Sequence, residues 1–263
     1  MHLEAVGFGA TAPGASGAAA AAFTGDSLTI KNARTGSRIL IVGHISDQQT
    51  LGWQQMTHPS GHDTTRGYRA SVPTGVTGNL LPVGLSIPMQ PQELMSVTIL
   101  GSATAGDIEQ GVFLVWYEDS PFVVGHLITN DELMSRAVDV TTVQLSLATG
   151  TAGGWSGSEA INADSDLLRA NTDYAILGVT STAECLAVGI RAPDFGGQRV
   201  AIPAGAGWQQ EQAEWFPRLA QETKLPMIPV FNSANRANIL IDAAQDENGA
   251  DFVGSIILAQ LKT

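Results

Sequence analysis

Short β-branched runs, each closed by turn residues, recur along almost the whole of this chain and restrict it to an all-β fold. They cover residues 27–31, 38–45, 68–72, 83–87, 94–100 and 112–117 in the first half. In the second half they cover 141–147, 174–180, 185–190, 199–202, 227–231, 238–242 and 255–261. Val143, Leu145 and Leu147 alternate with Gln144 and Ser146, the period of a half-buried strand. The spacing approaches the 8–12 residues expected of sandwiches and barrels. The 29 glycines and 12 prolines are scattered, which supplies turns between strands. Helix is expected at 208–224, with Pro217 interrupting it and Trp208, Trp215, Phe216 and Leu219 on one face. A weaker helical stretch covers 165–170.

The halves resemble each other. Arg69–Gly75 matches Arg199–Gly205 at an offset of 130, and Leu40–Gly43 matches Ala175–Gly178 at 135. Leu81-Pro82 matches Leu225-Pro226 at 144, and the same offset carries Met95 and Val97 onto Ile239 and Ile241. It also carries Asp107 onto Asp251, and Val112-Phe113-Leu114 onto Ile256-Ile257-Leu258. The order of blocks is the same in both halves, and the offset grows where the second half carries its helix. The expected organisation is two tandem antiparallel β-sandwiches, eight-stranded jelly rolls being one solution of that size. The first spans 26–125 and the second 126–263, with a polar boundary at 121–136. The core should include Ile39, Ile41, Ile99, Val115, Ile176, Leu177, Ile241 and Ile257.

Residues 1–25 are rich in Gly and Ala and read as a flexible N-terminal arm, since a stretch with no basic n-region makes a poor leader. Phe8 and Phe23 would be its anchors on a neighbouring chain. No window holds about 18 uninterrupted apolar residues. Cys185 is the only cysteine, so no intrachain disulfide can form, and its apolar run makes it a small core residue.

Charge excludes one class of partner. Thirteen Lys and Arg, without a run, against 25 Asp and Glu give a net charge of −12, which argues against direct nucleic-acid binding. Only 14% of residues are charged, against roughly 25% in an ordinary soluble protein, as expected where neighbours cover the surface or where neutral polar groups, here plentiful Gln, Asn, Ser and Thr, take the place of charges.

Motifs for chemistry are thin, and no catalytic centre is expected. His58, His62 and Asp63 are spaced as transition-metal ligands would be on a helix, but Pro59, Ser60 and Gly61 between the histidines favour a loop. Asp242, Asp246, Asn248 and Asp251 make an oxygen-rich stretch such as calcium requires. It departs from the EF-hand pattern, because aligning Gly249 with the glycine of that loop puts Ala244 at the first ligand. Asn248-Gly249 also reads as a hairpin turn. Gly154-Trp155-Ser156-Gly157 lacks the Gly-x-Ser-x-Gly pattern of a nucleophile elbow.

Duplicated sandwich halves, a Gly/Ala-rich N-terminus and one inserted helix resemble the double jelly-roll major capsid proteins of tailless icosahedral bacterial and archaeal viruses, many with an internal membrane. The resemblance is architectural and covers residues 26–263. It implies a virion protein made in the host cytoplasm, forming homotrimers that tile a shell with other capsid proteins, over a membrane and away from the genome. Two other classes suit the sequence. A carbohydrate-binding or adhesin-like module would expose Trp53, Trp155 or Trp208 in a groove. A hydrolase would gather shifted carboxylates or histidines in a pocket.

Overall fold

The computed structural model describes the chain apart from residues 12–16, 49, 62–65, 82–85, 102–106, 121–124, 149–152, 162–167, 183–184, 206–208, 246–250 and 263. It is all-β, built from antiparallel sheets with short helices. The first half contains β1 (His2–Thr11), β2 (Ala18–Ala19), β3 (Ala21–Ala22), β4 (Ile39–Asp47) and β5 (Gly52–Thr57). It continues with β6 (Tyr68–Val72), β7 (Thr77–Leu80), β8 (Ile87–Met89), β9 (Ser96–Leu100) and β10 (Ile108–Tyr117). The second half contains β11 (Leu127–Ile128), α1 (Asn130–Arg136), β12 (Ala137–Leu147), β13 (Glu159–Ala160), β14 (Asp173–Ser181) and β15 (Cys185–Arg191). It ends with β16 (Arg199–Ala204), α2 (Gln209–Ala213), α3 (Trp215–Thr223), β17 (Ile228–Asn232), β18 (Leu240–Ala244) and β19 (Phe252–Leu261).

Four sheets result. Sheet I runs β2-β9-β5-β6, and sheet II runs β3-β1-β10-β4-β7 with β8 also on β4. Sheet III runs β13-β18-β15-β16, and sheet IV runs β11-β17-β14-β19-β12. Connectivity is the same in both halves. β1, β10, β4 and β7/β8 take the places that β12, β19, β14 and β17 take later. β2, β9, β5 and β6 likewise answer to β13, β18, β15 and β16. A bulge marks the duplication more sharply. Val42 is the extra residue in the β4–β10 ladder and Leu177 the extra residue in the β14–β19 ladder, 135 positions apart.

The sheets stack in the order I, II, III, IV. Strand β10 shows why sheet II is buried on both faces: Phe113, Val115 and Tyr117 pack toward sheet I, whereas Val112, Leu114 and Trp116 join the core of the second half. Strand β1 alternates similarly, with Val6, Phe8 and Ala10 toward sheet I and Leu3 and Ala5 toward sheet III. The two sandwiches therefore share a core across their contact.

Several expectations are corrected here. Among the described residues of 1–25, His2–Thr11 are strand rather than arm: β1 pairs with β10 over ten residues, so the first sandwich begins at His2 rather than at 26. Phe8 and Phe23 are 0% and 2% exposed within their own chain, so they are not anchors on a neighbour. The small residues that suggested flexibility serve close packing, since a Cβ on Gly7 would enter the Phe23 ring. The stretch 27–31 contributes only an isolated bridge, Thr29 to Leu94. The polar boundary contains α1, whose N-cap Thr129 accepts a hydrogen bond from the Glu132 N–H at 3.1 Å. The expected 208–224 helix is two pieces broken at Glu214, with Pro217 in the first turn of α3. The weaker stretch at 165–170 lies mostly outside the described residues. Leu177 and Ile257 are only half-buried, because the bulge at Leu177 moves Ile257 opposite Gly178 and leaves Ile256 facing inward.

Candidate functional site: the charged seam between the halves

Sheets II and III meet along a seam held by ions. Asp26 follows β3 in a turn closed by its own N–H to Phe23 C=O at 2.9 Å. Its Oδ2 accepts from the Gly7 N–H at 2.7 Å and from Trp155 Nε1 at 2.9 Å. Its Oδ1 accepts from Arg199 Nη1, also at 2.9 Å. Arg199, in turn, donates Nε and Nη2 to Asp242 at 3.0–3.2 Å. Arg191 Nη2 reaches the same carboxylate at 2.9 Å and also donates to Ser158 Oγ. Trp155 lies under Arg199, whose guanidinium carbon is 4.2 Å from the ring centroid, and meets Phe23 edge-on.

Strand geometry puts these groups together. Arg199, at the start of β16, and Asp242, in the middle of β18, flank β15 on the face that meets sheet II. Gly189 lies between them, where a Cβ would collide with both side chains. Asp242 has 1% of its side chain exposed, Asp26 7% and Arg199 12%, so all three ions sit largely out of water. Such a cluster persists only when every charge is paired.

A cleft of about 340 Å³ opens beside the cluster, lined in part by Glu4, Lys31, Trp155 and Arg191. Lys31 Nζ bonds Glu4 at 2.5 Å and Gln198 Oε1 at 2.6 Å, adding a bridge between the halves. Burial raises the Glu4 carboxyl, and Lys31 opposes that rise. His2, stacked on Tyr117 nearby, is lowered to about 3 by burial, Lys31 and the chain terminus, and so is neutral at pH 7.

The expected site residues are placed differently. Asp242 is paired with two arginines; Asp246 and Asn248 lie outside the described residues, and Asp251 is exposed ahead of β19. His58 is buried, while His62 and Asp63 also fall outside the described residues. The partner of His58 is one the sequence reading missed: Nδ1 lies 2.9 Å from Glu93 Oε1. Ser60 N–H donates to the same oxygen at 2.6 Å, and Gln90 N–H to Oε2 at 2.8 Å. Burial alone would raise Glu93, but the bonds from Ser60, Gln90 and His58 outweigh it and lower the carboxyl to about 2. Ser60 Oγ approaches His58 Nδ1 at 3.3 Å, the nitrogen that already faces Glu93. A hydrolytic triad needs nucleophile and carboxylate on opposite ring nitrogens. This trio instead ties the loop after β5 to the turn before β9.

Trp53 carries Arg69 at 3.8 Å over its ring and Trp155 carries Arg199; Trp208 lies outside the described residues. Asp26, Arg191 and Arg199 were not singled out from the sequence. For Arg191 and Arg199 a signal was available: charged residues at strand positions in a chain with few charges.

No family model matches this sequence, and no curated protein matches it. Among solved structures, the chain is similar to PBSX exported protein XepA over 96% of its own length and 88% of that chain. Identity is 12% and the TM-score 0.23, so the likeness carries no argument about fold or function.

Proposed function

We propose that this chain is a structural subunit of a viral capsid: two jelly rolls in tandem that self-assemble through trimers into an icosahedral shell. The repeated strand order supports the jelly-roll reading, being that of two Greek keys folded into two sheets.

One observation carries the assembly reading. Aligning the halves on their bulges sets Leu3 against Val140 and Leu114 against Ile257. Leu3 and Leu114 are 1% and 0% exposed because sheet III of the same chain covers them. Val140 is 58% exposed and Ile257 half-buried, on the outer face of sheet IV. Val138, at 57%, and Val253, at 43%, extend the same surface. The β12–β19 side of a face that its own chain covers in the first half is thus left open in the second, while α2 lies over Gly178 of β14. Sheet I of another copy can cover it as sheet III covers sheet II. Such a head-to-tail contact closes into a ring when the rotation fits. Three chains, six similar halves, is the closure that the capsid resemblance implies. The acidic charge suits a shell that does not contact the genome.

The test is the mass of the purified full-length chain by light scattering, followed by negative-stain imaging. The expected result is a species of three times the 27.5 kDa chain mass, and shells under assembly conditions. A monomer at high concentration overturns the proposal.

A further inference from the structure

The bridge from Lys31 to Glu4 and Gln198 is more than an ion pair, because its third member is a primary amide. The three residues come from separate parts of the chain, and each backbone is fixed on its own account. Glu4 lies inside β1, opposite Val115 of β10. Lys31 follows Ile30, whose N–H donates to Glu93 C=O at 2.8 Å and whose C=O accepts from the Gln92 N–H at 3.0 Å. The Lys31 N–H itself donates to the Tyr117 hydroxyl at 3.2 Å. Gln198 precedes Arg199, which Asp26 and Asp242 hold in the seam. The fold, rather than one long side chain, brings the three functional groups together.

Lys31 Nζ is the common point. It lies 2.5 Å from Glu4 Oε1 and 2.6 Å from Gln198 Oε1. An amine, a primary amide and a carboxyl in contact are the parts of an amide exchange. The amide carbon is about 1.2 Å from its oxygen, so it lies within about 4 Å of Nζ, close to the roughly 3–3.5 Å of a near-attack arrangement. Glu4 is within reach of the proton that Nζ must lose. Burial raises the Glu4 carboxyl, Lys31 opposes the rise and Asp26 adds to it. Once Lys31 gives up its proton, that opposition goes with it. The Glu4 side chain is only 13% exposed, whereas that of Lys31 is 45% exposed. All three residues line the seam cleft, which gives a released small molecule a way out.

We infer that Lys31 and Gln198 join in an intrachain isopeptide bond, with Glu4 as the catalytic proton carrier. Glu4 takes a proton from the Lys31 ammonium. The freed amine attacks Cδ of Gln198, and the C–N bond forms as the carbonyl electron pair moves onto Oε1. Glu4 passes its proton to Nε2, the carbonyl re-forms, and the Cδ–Nε2 bond breaks to release ammonia. The surplus proton on the new amide nitrogen returns to Glu4 and leaves with the ammonia as ammonium. One ammonium group and one primary amide thus give one secondary amide and one ammonium ion, with Glu4 regenerated and no oxidant, reductant or cofactor consumed. The bond links positions 167 apart and staples the first half to the second across the seam. It lies within one chain and does not depend on assembly.

The test is the intact mass of the denatured full-length chain, followed during incubation at neutral pH, with tandem spectra of its tryptic peptides. Wild type should come to weigh one ammonia less than its sequence requires, and a branched peptide should join Lys31 to Gln198. Lys31→Arg keeps the charge and should keep the full mass. Glu4→Met, similar in length and without a proton to carry, should slow the loss by about 10²-fold or more. Should Glu4→Met fail to fold, Lys31→Arg still decides. Cross-linked wild type should also unfold at a higher urea concentration than Lys31→Arg. The inference is overturned if wild type keeps its full mass, if the branched peptide is absent, if the ammonia loss persists in Lys31→Arg, or if Glu4→Met reacts as fast as wild type.

Discussion

Replacing Arg199 with Met tests the seam most severely. The substitution preserves much of the side-chain volume and removes the ion that both Asp26 and Asp242 share. Asp242 keeps Arg191, and Asp26 keeps the Gly7 and Trp155 donors, so neither carboxylate is stripped bare. Breaking a buried pair by deleting one partner costs about 3–5 kcal/mol, and the residual contacts place this case toward the lower end. Loss of the cation from the Trp155 ring adds about 0.5–2 kcal/mol. Together these predict a loss of about 3–5 kcal/mol. Urea unfolding followed by tryptophan fluorescence and far-ultraviolet dichroism measures it, and a fall in midpoint at constant slope is expected if unfolding stays cooperative. Adding Asp26→Asn should recover part of the loss, since contacting residues couple by about 0.5–3 kcal/mol. A loss below about 1 kcal/mol, the range of exposed ion pairs, would refute the reasoning.

Other substitutions separate the remaining interactions. Gly7→Val should destabilise by about 1–3 kcal/mol through collision with Phe23, read as a lower urea midpoint. Ile256→Ala should cost about 2–5 kcal/mol because Ile256 is fully buried, whereas Ile257→Ala in the dissociated chain should cost less than half as much. Glu93 lies at about 2 in the folded chain against an ordinary 4.5, so its contribution is present above pH 4.5 and is lost as pH falls toward 2. Glu93→Gln should therefore flatten the pH dependence of stability across that window, and an unchanged acid limb would contradict the assigned bonds.

Much of the fold was legible because period-2 patterning and turn residues dictate strands without tertiary help. The 135 offset between Leu40–Gly43 and Ala175–Gly178 located the third strand of each half, and the bulges at Val42 and Leu177 lie inside those blocks. Strand β1 was not legible. Gly7 and Gly9 look flexible in isolation, and only the Phe23 ring above them and β10 beside them make their small size an advantage. Leu177 and Ile257 were expected in the core, because a one-residue bulge reverses inward and outward and leaves no local trace. The seam escaped for another reason: Asp26 and Arg199 are 173 residues apart, and only stacking of the halves makes them neighbours. The histidine pair and the acidic stretch had suggestive spacing, yet His58 found Glu93 and Asp242 found two arginines, partners supplied by other strands.

The central claim is that the contact between sheets II and III is repeated between chains by sheets IV and I. Within the chain, β1 packs on β16, so between chains β12 should pack on β6. Cysteines at Val140, on the outer face of β12, and at Ser71, on the exposed side of β6, should lie across that contact. Cys185 is buried and should not compete. Under mild oxidation the double variant Val140→Cys/Ser71→Cys is predicted to form a covalent ladder that ends at three chains, while neither single variant cross-links. Absence of the ladder, or cross-linking of Val140→Cys to itself, would contradict the head-to-tail account.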